Sequence, residues 1–156
     1  VLDLKLESRD RTVKDLKCIV RENNKMNTLN IQQFGHKERY ITGVYDLEVL
    51  TLPRILIDDV EIKQSNTTTI EIPLPGIAVI DKKAAGYGGI YVERDNMLEL
   101  VYNLRENSMD RETIVLQPGN YRVIFRSKYS KKSAFTVERR FTVVTGKSVN
   151  VKLYRY

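Results

Sequence analysis

One phrase is written twice in this chain. Residues 40–49 read YITGVYDLEV and residues 111–127 read RETIVLQPGNYRVIFRS, and Gly43 and Tyr45 fall on Gly119 and Tyr121 with one offset of 76. In the second copy Tyr121, Val123 and Phe125 alternate with Asn120, Arg122 and Ile124, the period of a half-buried strand. Tyr45, Leu47 and Val49 do the same in the first. Ahead of the second copy, Pro118-Gly119 reads as a tight turn, with proline presetting φ and glycine taking the positive φ that follows. A strand phrase that recurs after about half the chain constrains the fold to two units of one architecture.

The rest of the chain fits that constraint. Leu2, Leu4 and Leu6 alternate with Asp3, Lys5 and Glu7; Ser8-Arg9-Asp10-Arg11 is a polar break. Leu16, Cys18 and Val20 mark a second strand, ended by Asn23-Asn24-Lys25. Leu29-Asn30-Ile31 begins a weaker one, and residues 32–39 are poorly patterned. After Pro53 come Ile55-Leu56-Ile57, then Val60 and Ile62, then Thr68, Ile70 and Ile72. Pro73-Leu74-Pro75-Gly76 removes two ladder donors and reads as a stiff hinge. Beyond it, residues 77–80 answer 2–6, and residues 90–93 answer 16–20. Gly86-Tyr87-Gly88-Gly89 reads as a flexible loop, and Leu98, Leu100, Tyr102 and Leu104 as one alternating strand. Val137, Phe141 and Val143 answer Val60 and Ile62, and Val149, Val151 and Leu153 answer the last strand of the first half.

Arg139 shares a face with Val137 and Phe141, which requires either snorkelling to the rim or a bulge. No segment carries a sustained 3.6-residue apolar period with caps. The expected fold is all-β: two tandem small β-sandwich units, immunoglobulin-like or carboxypeptidase-regulatory-like, over 1–73 and 76–156, with 74–75 as hinge.

Some stretches also resemble a family. YDLEVLTLPRILIDDVEIKQSNTTTIEIPLPGIAVI and LQPGNYRVIFRSKYSKKSAFTVERRFTVVTGKSVNVKLY look like the C-terminal β-rich region of bacterial von Willebrand factor A domain-containing proteins. The resemblance runs from about residue 39 to 154; residues 1–38 match in strand pattern alone. It implies a non-catalytic interaction or spacer module of a bacterial envelope or surface protein. It also implies a preceding A domain in the same polypeptide, or another protein, as partner. The family's metal site lies in the A domain and uses an Asp-x-Ser-x-Ser motif, which this sequence lacks.

Charge is divided unevenly. Residues 1–75 hold 11 Lys/Arg against 12 Asp/Glu, and residues 76–156 hold 15 against 8. The basic half therefore has two readings, a solvated β surface or a contact for an anionic polymer, polysaccharide or nucleic acid. The candidate contact residues are Lys128, Tyr129, Lys131 and Lys132 of a basic hairpin, with Arg140 and Arg139 nearby on the adjoining strand. A lysine-rich hairpin also protects an exposed sheet edge.

Candidates for chemistry are sparse. His36 is the one histidine and sits in a polar loop with no spacing that orients a base. Cys18 is in register with Leu16 and Val20, so it reads as a core residue. One Cys and one His do not make a zinc site. Asp46, Glu48, Asp58 and Asp59 invite calcium, but they lack a loop that bends back on the ion, and Asp46 and Glu48 read as the solvent face of a strand. No enzymatic activity, cofactor or metal is expected. There is no apolar run long enough for a membrane helix. The opening VLDLKLESRD lacks a signal-peptide pattern, and a chain that begins at Val1 already inside a strand pattern reads as a fragment or processed piece of a longer protein.

Overall fold

The computed structural model describes residues 1–6, 15–128 and 136–154. The polar break at 8–11 and the hairpin residues Tyr129, Lys131 and Lys132 lie outside the described residues. The chain divides into two compact units, Val1–Leu74 and Pro75–Tyr156, and the division falls within Pro73-Leu74-Pro75-Gly76. Among the described residues every regular element is a strand.

The first unit contains β1 (Leu2–Leu6), β2 (Lys17–Glu22), β3 (Thr28–Gln33), β4 (Lys37–Glu38), β5 (Gly43–Val49), β6 (Ile55–Ile62) and β7 (Thr68–Ile72). They form a four-stranded sheet, β3-β2-β5-β6, and a three-stranded sheet, β4-β1-β7, with β1 and β7 parallel. The second unit contains β8 (Gly76–Asp81), β9 (Gly86–Arg94), β10 (Met97–Asn103), β11 (Glu112–Leu116), β12 (Gly119–Ser127), β13 (Val137–Val143) and β14 (Ser148–Lys152). Its sheets are β10-β9-β12-β13 and β11-β8-β14, with β8 and β14 parallel. Adding seven to each strand of the first unit yields the second. The chain is a tandem of two β-sandwiches, as the repeated phrase requires.

Each sandwich buries the residues that alternation assigns to it. In the first, Leu2, Leu4, Cys18, Val20, Tyr45, Leu47, Val49 and Ile62 form the core. In the second, Ile80, Ile90, Val92, Tyr121, Val123, Phe125, Phe141 and Val143 are buried. The two repeated tyrosines play one part. Tyr45 donates its hydroxyl to the carbonyl of Ile41 and Tyr121 to that of Gln117, each four residues upstream. Each ring is thereby fixed at the entry to a central strand of the four-stranded sheet, with its polar tip satisfied.

The register corrects several expectations. Val20 pairs with Leu47 and Ile90 with Val123. With β5 and β12 offset by 76, β2 maps onto β9 at an offset of 70, so Gly86–Ile90, not residues 90–93, answers residues 16–20. The glycine-rich stretch is therefore not a loop: it is the first half of β9, paired with β12. The cause is steric. A Cβ on Gly88 would lie 2.5 Å from the Ile124 carbonyl oxygen, and one on Gly86 would lie 2.8 Å from the Phe125 ring. The first unit has Leu16 and Cys18 at these places and the smaller Val49 where the second has Phe125. Bulk has moved from one strand to its neighbour with the core filled both ways.

Gly119 is not a positive-φ turn residue; it is the first residue of β12, paired with Val143. Leu98 and Leu100 do not share a face with Tyr102 and Leu104, because Val101 is an extra residue in β10 and flips the alternation. In β3 it is Asn30 and Gln32 that turn inward, leaving Leu29 and Ile31 exposed. Gln32 is fully buried: its amide donates to the carbonyls of Leu2 and His36, each at 2.9 Å, and its oxygen accepts the Tyr40 hydroxyl at 2.9 Å.

Gly88→Ala is expected to lower stability by about 1–3 kcal/mol in urea unfolding, because the obstruction is backbone. Gly119→Ala, whose new Cβ would sit 3.7 Å from the Tyr121 ring, is expected to stay within about 0.5 kcal/mol of the parent.

Candidate functional site

The candidate contact residues Lys128 and Arg140 lie on and beside the outer face of β10-β9-β12-β13, but they do not cluster as expected. Lys128 follows β12 directly. Its ammonium stands 5.7 Å from the centroid of the Tyr87 ring and bonds the Asn107 side-chain oxygen. Arg140 is level with Arg122, six positions back along β12, hence ~20 Å from Lys128. There Arg122 Nε lies 3.0 Å and Arg140 Nε 3.5 Å from Glu93 Oε1, and Arg122 Nη1 lies 3.0 Å from Glu138 Oε1. Arg139 pairs directly with Val123 in an unbroken register, so no bulge relieves it. Its side chain is exposed and donates to the Glu138 carbonyl at 3.1 Å, the rim position rather than the bulge.

The same face holds a feature that sequence reasoning passed over. Tyr87, Gly89 and Tyr91 alternate onto the outer side of β9, and register sets Tyr87 opposite Arg126, Gly89 opposite Ile124, and Tyr91 opposite Arg122. Tyr87 is 53% exposed. Leu100 Cδ1 and the Tyr91 ring approach to 2.7 and 3.5 Å of where a Gly89 Cβ would stand, so the glycine is roofed by its neighbours. A depression of about 530 Å³ opens here, lined by Tyr87, Gly89, Tyr91, Asn103, Ile124 and Arg126 among others. The first unit carries Lys17, Ile19 and Arg21 at the three equivalent positions, so the aromatic face is peculiar to the second. An alignment of the halves at the offset of 70 would have exposed it.

Ionisable groups elsewhere hold strands together. Lys82 and Glu112 form an ion pair at 2.8 Å with both side chains sealed from solvent. Lys82 also donates to the Arg105 carbonyl at 2.9 Å, while Glu112 accepts the Tyr102 hydroxyl at 2.8 Å and the Arg105 backbone N–H at 3.0 Å. Burial alone would raise the Glu112 pKa, but Lys82, Tyr102 and Arg105 outweigh it and hold the carboxyl below its ordinary 4.5. The pair has every hallmark of a structural lock and no opening for a substrate.

Asp46 is more than the solvent face of a strand. Its carboxylate accepts the backbone N–H of Asn24 at 2.9 Å and of Asp59 at 3.1 Å, and the Asn23 amide at 2.9 Å, and these bonds lower its pKa. Asp59 sits at φ 59° in the bulge where β6 slips against β5, so Asp46 pins that bulge and the β2–β3 turn at once. Glu48 is held by Arg54 at 2.9 Å and Arg21 at 2.8 Å, and both bonds lower its pKa. Burial pushes the Cys18 thiol up to about 12, which keeps it protonated and inert. His36 is exposed in the turn between β3 and β4. A depression of about 680 Å³ in the first unit is lined by Asn30, Glu38 and Tyr40, which bond one another. Among the described residues, no three of His, Cys, Asp and Glu gather as a metal site.

No protein-family model, curated protein or solved structure matches the chain.

Glu112 binds its proton more weakly folded than unfolded, so its stabilisation is complete above pH 4.5 and disappears as pH falls through the lower folded value. Glu112→Gln, which leaves Lys82 buried and unpaired, is expected to cost about 3–5 kcal/mol at pH 7. Its deficit in urea unfolding should narrow as the buffer is taken below pH 4.5; a deficit constant with pH would contradict an ionised pair.

Proposed function

We propose that this chain is a non-catalytic spacer and interaction module, the C-terminal part of a bacterial envelope or surface protein that carries a von Willebrand factor A domain. Its main support is duplication: among the described residues, seven strands are built twice in one order, each set around its own core. Ionisable side chains such as Lys82, Glu112 and Asp46 brace those strands. Modules of this kind hold a partner domain away from a surface or against another protein, and their loops and faces carry the contacts. The partner is the A domain of the same polypeptide or a second envelope protein. Fractionation of cells producing the whole polypeptide tests this. It should travel with the envelope and carry an A domain ahead of this segment; recovery in the cytosol without such a domain would refute it.

A second reading is favoured by the charge split: the basic second unit holds an anionic polymer. The ammonium of Lys128 above the exposed Tyr87 ring is the local feature that supports it. Contacts of this exposed kind are screened over about 8 Å at physiological ionic strength. Retention on heparin should therefore be measurable at low salt, fall steeply at physiological salt, and weaken when Lys128, Lys131 and Lys132 are changed to Ser. Retention indifferent to those three lysines would exclude this reading.

A further inference from the structure

We propose that the outer face of β9 and β12 binds an acidic polysaccharide, with Tyr87 and Tyr91 as platforms for sugar rings and Lys128 receiving a uronic carboxylate. This rests on the second reading above and gives it a site and a ligand class.

Two repeats of one scaffold provide the comparison. Wherever a residue is needed for the sandwich, the halves keep its role: the corner tyrosines, the alternating core, the parallel closing strand. On the outer face of β2 the first unit carries Lys17, Ile19 and Arg21, ordinary for a solvated sheet. The second carries Tyr87, Gly89 and Tyr91 at those places. Neither tyrosine fills the core, and Gly89 between them makes room for the Leu100 side chain, which comes within 2.7 Å of where its Cβ would stand. Four strand positions set the two tyrosines ~13 Å apart, the reach of a short oligosaccharide. The negative face of an aromatic ring attracts the polarised C–H edges of a sugar, and a shallow trough between two rings seats a chain of them.

The charge pattern selects among polymers. Arg122 is held by Glu93 at 3.0 Å and by Glu138 at 3.0 Å, so the sheet presents carboxylates beside its cations. A phosphodiester backbone brings a charge with every unit and binds by releasing counterions to unpaired cations. Two carboxylates on the same face repel it. A hydroxyl-rich chain with spaced carboxylates instead finds donors and acceptors already fixed by ion pairing, and Lys128 at the Tyr87 end meets one of its anions.

The test titrates the whole chain with a hyaluronan hexasaccharide, which bears a carboxylate on every second sugar, following amide shifts by NMR and affinity by calorimetry. The neutral chitin hexasaccharide and a single-stranded oligo-dT serve as comparison probes. Shifts should concentrate on β9 and β12. Tyr87→Ala and Tyr91→Ala should each weaken binding about tenfold, with the amide spectrum otherwise retained. Lys128→Ser should reduce the preference for the acidic over the neutral sugar, and Lys17→Ala in the first unit should change nothing. Tighter binding of oligo-dT than of the hyaluronan hexasaccharide, equal losses from Lys17→Ala, or no binding of the hyaluronan hexasaccharide would each overturn the proposal. If heparin retention still depends on the lysines while the tyrosine variants behave as wild type, the site is wrong and the basic-unit reading stands.

Discussion

A single hydrogen bond, made twice, sets the geometry on which each sandwich depends. The Tyr121 hydroxyl reaches back to the Gln117 carbonyl and the Tyr45 hydroxyl to that of Ile41. A phenol can be buried only if its oxygen finds a partner, so the ring and the preceding loop are fixed together. Burial raises the pKa of both phenols, that of Tyr121 to about 12, so neither ionises in the ordinary range. From the ring the packing spreads sideways. Tyr121 stacks on Phe141 of β13 at 5.6 Å between centroids, and Tyr45 meets Tyr40 at 5.5 Å. Tyr40 in turn donates to the buried Gln32, which bonds the Leu2 carbonyl in the opposing sheet. The corner thus ties both layers of the first sandwich through a chain of three side chains.

The edge strands are managed by local irregularity. An open edge offers unpaired backbone groups to any passing strand, and bulges or charges deter it. In the four-stranded sheet of the first unit, Leu29 is the extra residue of β3, and two residues of β6, Asp58 and Asp59, stand against Asp46. In the second, Val101 is the extra residue of β10, whose Met97, Leu98 and Leu100 are exposed. The fourth edge, β13, keeps a regular register and carries Glu138, Arg139 and Arg140 instead. Of the four edges of the two four-stranded sheets, three are therefore bent and one is charged. Asp46 shows what a bulge requires: a carboxylate placed to accept the N–H groups that the broken ladder releases.

The strand phrases, the tandem arrangement and the core positions of β1, β2, β5 and β12 were legible because alternation and turn residues are local signals. What was not legible lay in pairing. Whether Gly86–Gly89 is a loop or a strand depends on Phe125, a neighbour 36 positions away from Gly89 in the chain, whose ring takes the space that side chains on β9 would fill. The flip at Val101 depends on a bulge that leaves no mark in a period-two pattern, and the inward turn of Gln32 on its pairing with the core residue Cys18. Lys82 and Glu112, 30 positions apart, read as two surface charges until the sheets bring them to 2.8 Å. The outer-face tyrosines were hidden for a related reason, since their meaning appears only when the halves are aligned on the register.

That register also explains how one scaffold came to carry two surfaces. A core position and a face position alternate along β2 and β9, and the two are independent because they lie on opposite sides of the sheet. On the core side, Leu16 and Cys18 beside Val49 are exchanged for Gly86 and Gly88 beside Phe125, a conservation of volume rather than of residue. On the solvent side no volume needs conserving, and Lys17, Ile19 and Arg21 give way to Tyr87, Gly89 and Tyr91. Packing therefore accounts for the first set of differences and, in the second, for Gly89, which leaves room for Leu100, but not for the two tyrosines. Differences that packing does not demand, gathered on one face of one strand, are where a duplicated spacer can acquire a binding surface without disturbing the fold that supports it.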